Sequence, residues 1–467
     1  MRLAERAFPV RMRRVALVVP AQRARDVLVT VAQLGMIDLS GPLGGGEGPA
    51  LEALRRLESS RRGRAGSPVL TRDAPNLADL EQRGARDALA GEVELDRRRS
   101  SAVRHGDFLM FVGWAPRPAL PRLAASLDGL GAAMVELRAP RGRQPPTLLA
   151  TAPAADPFRP LITTYGAVPY PDLDPTPFVA ITYCLMFGMM FGDVGDGLLI
   201  VLAALALSRT SQPRLQSLRR VWPLIAAAGA AAILFGALYG ELFGPTKLLP
   251  TLWLEPLDSP TRLLGVAIVA GVGLLAVSHL IGIVNRYREG GMLLVLTSDS
   301  GVPGLLLLAG GSIAALGIVA DAAWLGPVGL GVIGLAVVGL VLGLRAEAGN
   351  GPTAILEVLI GLLDALLRVF SNVFSFARLA AFGLMHAAIG QVVLHAAGSL
   401  TGSPVGDLAA AVTFAVGWGV AFALEGLVVA VQALRLEYYE LFSRLFVGEG
   451  RPFTPFRLPL ISTEEAR

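Results

Sequence analysis

Cysteine and lysine each occur once, as Cys184 and Lys247. A single thiol excludes an intrachain disulfide, so nothing marks a secreted, cross-linked scaffold. The lone lysine lies in GPTKLL rather than in a GxxxxGK motif followed by Ser or Thr, which excludes a phosphate-cradling P-loop and nucleotide hydrolysis through it. Charge is scarce too: 17% of the 467 residues are charged against 53% hydrophobic, and mean hydropathy is +0.57. That balance belongs to a polytopic membrane protein. A net charge of +4 raises the question of a nucleic-acid partner. The arginines beyond Phe178, however, sit mainly at the ends of apolar runs, where the positive-inside rule puts them on the cytoplasmic side. Orientation accounts for them, and no nucleic acid is expected. The opening MRLAERAFPVRMRRVALVVP has charge but no apolar core of signal-peptide length, so no cleaved signal is expected.

Charge is also unevenly spread. Up to about Arg143 the chain is rich in Arg, Asp and Glu, and from Phe178 it falls into long apolar runs. Val15–Val19, Gln22–Leu34 and Met36–Leu39 read as strand, helix and strand, and the order returns at Phe108–Trp114, Ala119–Leu130 and Met134–Leu137. Between these two α+β pieces, Leu51–Arg64 and Leu77–Arg104 read as an antiparallel helical hairpin joined by RAGSP, with a solvated charged linker as the alternative. The expected domains are residues 1–140 (cytoplasmic α+β, hairpin about 51–104), a Pro-rich linker at 141–177, a transmembrane domain at 178–446 and a cytoplasmic tail at 447–467.

Apolar runs follow at 178–208, 221–239, 263–283, 302–320, 326–344, 355–397 and 408–446. A span needs roughly 20 residues, so the first run is long for one helix. It contains GDVGDG at 192–197, which combines helix-breaking glycines with two acids and reads as the junction of two short spans. The split also puts Arg209, Arg214, Arg219, Arg220, Arg286, Arg288 and Arg345 on the cytoplasmic side, together with the N-terminal domain. The fold expected is a mainly α membrane protein. Its eight-helix transmembrane domain ends in two long tilted helices, and a small α+β cytoplasmic domain with a short hairpin precedes it. Both termini are then cytoplasmic. Ser371–His395 reads as one helix, and 355–369 either continues it or lies along the interface.

The last two long runs hold the polar residues that matter. Asp364, Arg378, His386, Gln391 and His395 fall on the first, and Glu425, Gln432 and Arg435 on the second. A charge near the bilayer centre costs about 2.5–3.5 kcal/mol on insertion scales, and arginine keeps its proton in any protein environment. Arg378 is therefore a fixed positive charge. Asp364 lies fourteen residues before it, close to four turns and about 21 Å along an axis. If the two runs are antiparallel, Arg378 and Arg435 meet at similar depth, and their mutual repulsion favours an acid from another chain between them. The structural alternatives are that both arginines pair internally with Glu425 and Asp364, and that His386 is a satisfied core histidine. His395 reads as interfacial, and Tyr438 and Tyr439 as membrane-surface anchors.

FGMMFGDVGDGLL at 187–199, SNVFSFARLAAFGLMHAAI at 371–389, LEGLVVAVQALRLEYYE at 424–440 and FVGEGRPFTPF at 446–456 closely resemble the large membrane subunit, subunit a or I, of V-type and archaeal-type rotary ATPases. PTPFVA at 175–180 and VRMRRVALVVP also fit, and the likeness spans the whole membrane domain. The resemblance implies a stator that holds two half-channels for protons, or sodium, beside a rotating proteolipid ring. It implies that Arg378 and Arg435 face the ring carboxylate, that Glu425, His386 and Gln432 line the outer half-channel, and that Asp364 lies near the inner one. Asp193 falls in a signature to which the sequence assigns no role. Peripheral stalk subunits, met through the N-terminal domain, and the lipid bilayer are the other implied partners. No cofactor or metal set is assigned, and the chain has no catalytic site of its own, acting only within an ATP-coupled translocase of the cell membrane. The part preceding Pro175 is shorter than is usual in that family. Two other readings remain: a stand-alone secondary transporter or channel, for which inverted repeats would speak and none are found, and a non-translocating scaffold that has kept the membrane fold.

Overall fold

The computed structural model describes residues 8–39, 48–59, 74–140, 142–149, 156–212, 215–348, 351, 353–445 and 450–457. It forms two compact units, Pro9–Leu149 with Gly450–Arg467, and Met1–Phe8 with Ala150–Glu449.

The first unit is built on β1 (Met12–Pro20), where Val15, Leu17 and Val19 alternate onto a fully buried face. It continues through α1 (Ala24–Leu34), β2 (Asp38–Leu39), α2 (Pro49–Ser59), α3 (Leu77–Gln82), α4 (Arg86–Ser100), β3 (Val103–His105), β4 (Phe108–Pro116), α5 (Leu120–Asp128) and β5 (Ala133–Leu137). The two strand-helix-strand pieces do not stay separate. They interleave in one antiparallel sheet of order β2-β4-β1-β5, with β3 also on β4, which is the split β-α-β arrangement. Two strands and a helix have too little apolar surface to stand alone. Interleaved, Val27, Leu28 and Val31 of α1 share a core with Leu123 and Leu127 of α5 over Leu17 and Phe111.

The hairpin helices α2 and α4 meet through Ala53, Leu57 and Leu89, with ion pairs Arg56–Glu81 and Arg86–Glu58 at 3.0 Å. The RAGSP connection lies outside the described residues. Residues 450–457, expected as a tail, belong to the sheet unit. The Thr147 N–H donates to the Arg451 carbonyl at 2.7 Å and the Phe456 N–H to the Ile37 carbonyl at 2.7 Å. The Phe456 ring is buried under the Arg98 guanidinium, and Arg451 pairs with Asp38 at 3.0 Å.

The second unit is helical: α6 (Arg159–Tyr165), α7 (Thr176–Met190), α8 (Val194–Arg209), α9 (Gln216–Arg220), α10 (Trp222–Tyr239), α11 (Pro260–Thr297), α12 (Val302–Val319), α13 (Leu325–Ala348), α14 (Ala354–Ser375), α15 (Ala377–Gly398) and α16 (Pro404–Leu436). A π-helical turn over Glu437–Leu441 and a last turn, Phe442–Leu445, follow α16. Among the described residues, five helices are long and apolar enough to cross a membrane: 222–239, 260–297, 302–319, 325–348 and 404–445. This is a membrane protein. Two differences separate these five from the eight expected spans. The 178–208 run breaks into helices of 15 and 16 residues, each shorter than a full span. The helix expected over 371–395 is divided at Phe376 into α14 and α15, and neither of these 22-residue helices is among the five. On α14 the apolar residues Ile355, Leu359, Leu363, Leu366, Phe370 and Phe374 are all exposed.

Helices α8 and α10 touch at a glycine pair. A Cβ on Gly197 would stand 2.7 Å from the Gly229 carbonyl, and one on Gly229 would stand 2.9 Å from that of Gly197. The two backbones thus approach as only small residues allow.

Asp172, just before α7, is fully buried, with neither carboxyl oxygen hydrogen-bonded among the described residues. Burial, with Glu289 beside it, pushes this carboxyl up from its ordinary 3.8 to about 8 against the pull of Arg286 and Arg288. Between those values the folded chain holds a proton that the unfolded chain has lost, so stability falls as pH rises through the window. The thermal midpoint of the full chain in detergent should therefore drop between about pH 5 and pH 8. Asp172→Asn should flatten that slope, and an unaltered slope in the variant would contradict the assignment.

Candidate functional site: buried charges in the membrane unit

The break between α7 and α8 is the local structure from which the site is built. Asp193 stands at the N-cap of α8, and its Oδ1 accepts the Asp196 N–H at 3.0 Å, as a capping carboxylate does. The same oxygen accepts the Phe243 N–H at 3.0 Å, and Oδ2 accepts the Gly244 N–H at 2.7 Å. Gly244 has φ +84°, so its amide reaches the carboxylate from a left-handed turn that a Cβ would strain. The role that the sequence left open for the GDVGDG segment is thus structural in part. Asp193 ends one helix break and pins the loop after α10 to it. Asp196, one turn on, accepts the Trp418 indole N–H from α16 at 2.7 Å.

Into this corner α15 projects His386. Its Nδ1 lies 2.7 Å from Glu425 Oε2 on α16, and its Nε2 is 3.8 Å from Asp193 Oδ2 and 4.0 Å from Asp196 Oδ2. All four side chains are buried, and the buried Glu241 adds a further acid. Phe191 packs on the imidazole at 4.9 Å and Trp418 closes it edge-on at 6.1 Å. The structure therefore brings together three residues singled out in the sequence, Asp193, His386 and Glu425, from three separate stretches. Asp196, Glu241 and Trp418 complete the cluster. Asp196 was legible as the second acid of GDVGDG, and Glu241 as the polar residue ending an apolar run, whereas nothing in the sequence marked Trp418.

Arg378 lies eight residues, about 12 Å along the helix, before His386, at the start of α15. It is half-buried, its Nη1 is buried without a hydrogen-bond partner, and among the described residues it forms no ion pair. Arg435, exposed on α16, is within electrostatic range of it, as is Glu440 of the π-helical turn. Glu440 is buried, and one of its carboxyl oxygens has no partner. The expected meeting of Arg378 and Arg435 is thus accompanied by an internal acid that the sequence reading had not singled out. Gln432 is half-buried, with its Oε1 unpartnered.

Asp364 falls elsewhere. It is exposed and pairs with Arg368, which reaches Asp299 at 3.7 Å, and Asp299 in turn pairs with the buried Arg444 at 3.2 Å. Neither Asp364 nor Glu425 pairs with either intramembrane arginine, so the internal ion pairs of the structural alternative do not form. Gln391 and His395 are exposed, and Tyr439 is exposed while Tyr438 packs on Tyr165 and Phe442.

Membrane-length helices packed with a buried acid–histidine cluster, and with arginines unpaired among the described residues, define a membrane protein that holds charge among its apolar helices. Residues 101–258 match the family model described as the V-type ATPase 116 kDa subunit family. The A-type ATP synthase subunit I of Archaeoglobus fulgidus is 30% identical over 399 residues, covering 74% of this chain and 58% of that relative. The subunit I of Aeropyrum pernix is 28% identical over 65% of this chain and 50% of its own length. The V-type ATP synthase subunit I 2 of Treponema pallidum is 30% identical over 35% of this chain and 38% of its own length. Residues 101–258 thus carry the mark of the V-type ATPase 116 kDa subunit family, and the similarity to proteins named subunit I extends over about three quarters of the chain. It spans about half the length of the curated relatives it matches.

Asp193 supplies the prediction here. In Asp193→Asn one oxygen becomes an NH2 group, which must face an amide donor whichever way it turns, leaving a buried donor without an acceptor. A loss of about 1–3 kcal/mol is expected, read as a lower thermal midpoint of the full chain, whereas a midpoint equal to wild type would remove the capping role.

Proposed function

We propose that this chain is the stator ion-channel subunit of a V/A-type rotary ATPase, holding two half-channels beside a ring of proteolipid subunits that each carry a buried carboxylate. The observation that carries the reading is Arg378, a permanent cation on a helix of the membrane unit with no ion pair among the described residues. In hydrocarbon such a charge is costly unless something answers it, and the exposed Arg435 nearby repels rather than answers. A carboxylate arriving from another chain satisfies both. Beside a fixed positive charge that carboxylate loses its proton, so it cannot pass the arginines protonated, and leakage past them is blocked. Each charge kept from leaking preserves about 2.3 kcal/mol per 100 mV of membrane potential.

On this reading His386, Glu425 and Gln432 line one half-channel, with Asp193 fixing its wall, and Asp364 lies near the mouth of the other. The ion is a proton or sodium, eight spans cross the bilayer, both termini are cytoplasmic, and the sheet unit meets peripheral stalk subunits. The translocase activity belongs to the assembled complex. The apolar face of α14, exposed along its length, is consistent with a helix that neighbours lipid or a ring.

The test is Arg378→Ala in membrane vesicles that carry the assembled complex. ATP-driven ion uptake should fall to background while the complex still assembles. Full uptake by the variant would overturn the reading, and loss of assembly would favour a structural role for the arginine.

A further inference from the structure

We propose that Asp193, Asp196 and His386 form a binding site for a divalent transition-metal ion of the Zn2+ class. The metal assignment stands on geometry alone. Its expected effect on ion flux rests on the half-channel reading above.

The surroundings of His386 Nε2 are incomplete. The nitrogen has no hydrogen-bond partner, and neither has Asp196 Oδ2, although both residues are buried at 3% and 0% exposure. The two carboxylate oxygens facing Nε2 stand at 3.8 and 4.0 Å, too far to accept a hydrogen bond from it. Such a spacing leaves polar atoms aimed at a common point that none of them fills. All three ligand atoms lie within 4.8 Å of one another. Zn–N bonds of about 2.0–2.1 Å and Zn–O bonds of about 2.0–2.2 Å in a tetrahedral shell put two ligands of one ion about 3.4 Å apart, so the site closes on the metal when the side chains draw together by up to about 1.4 Å.

The far side of the imidazole is also suited to a metal ligand. Metal-binding histidines almost always donate their other ring N–H to a carboxylate or carbonyl, which fixes the tautomer and leaves the lone pair on the ligating nitrogen. Glu425 Oε2, 2.7 Å from Nδ1, is placed to receive that proton. Asp193 is held in turn by three backbone N–H groups, and Asp196 by the Trp418 indole, so each ligand is oriented before any ion arrives.

Charge favours a bound cation as well. Four acids, Asp193, Asp196, Glu425 and Glu241, stand around one histidine, and a 2+ ion offsets two of their charges in a pocket walled by Phe191 and Trp418, where uncancelled charge is expensive. An imidazole with two carboxylates suits zinc and its neighbours, whereas Ca2+ and Mg2+ favour all-oxygen shells. Because the site includes two residues of the proposed half-channel, a bound ion should block it.

The experiment uses the purified intact complex with Zn2+ as the only added ligand, bound metal being counted after gel filtration and Co2+ serving as a spectroscopic substitute. One saturable ion per copy of this chain is expected. Asp196→Asn and His386→Gln should abolish it, and Glu425→Gln, which removes only the outer partner, should weaken it about 10–100-fold. Asp196→Asn still offers Oδ1 to Trp418, so it keeps the test valid if the histidine variant fails to fold. Binding that survives both ligand variants, or an equal response to Ca2+, would overturn the site. Zn2+ bound at these residues with ion flux unchanged would uphold the metal site and remove the half-channel reading instead.

Discussion

A charge in hydrocarbon has to be answered by another charge, and the membrane unit can be read by asking which of its ionised groups obey. Arg444 is answered by Asp299, Asp364 by Arg368 and His386 by Glu425. Arg378 is not. Its nearest charged neighbours are a second arginine and a buried acid that forms no ion pair with it. Among the described residues, internal pairing holds the bundle together at several points and does not reach Arg378, where the proposed mechanism needs an incomplete site. This link runs from burial and charge to function, and the rest of the account hangs on it.

The helix break at 191–193 is the second constraint. A continuous helix through 178–208 would satisfy its own amides and carry its acids on its surface. Broken, it exposes an N-terminus whose amide Asp193 caps, and the same carboxylate gathers the amides of residues 243 and 244. Irregular backbone at membrane depth is tolerated only where protein satisfies it, and here side chain and loop do so together. That places Asp193 and Asp196 against His386 rather than on a lipid-facing surface.

Much of this was legible in the sequence, for identifiable reasons. Short continuous apolar runs in β1 and β4 and helical spacing in α1 and α5 located these elements to within a few residues, because each packs against the core. How two similar pieces combine is a long-range pairing that local pattern does not encode, so they read as separate units rather than as one sheet. The division at Phe376 was invisible for a related reason, since no glycine or proline marks it. The polar residues Arg378, His386, Glu425 and Arg435 stood out because they interrupt apolar runs. Trp418 did not, because an indole in such a run is ordinary until its N–H is seen to reach Asp196. Glu440 lies in a polar-rich stretch after Arg435, where its approach to both arginines depends on the π-helical turn.

The central claim is that the guanidinium of Arg378 is completed by a carboxylate from a different polypeptide. Electron cryomicroscopy of the intact complex, at a resolution that separates side chains, tests it most directly. In at least one rotational state, a ring carboxylate should stand within about 4 Å of that guanidinium, inside ion-pair range. A guanidinium facing lipid, or bound to Glu440 in every state, would contradict the account.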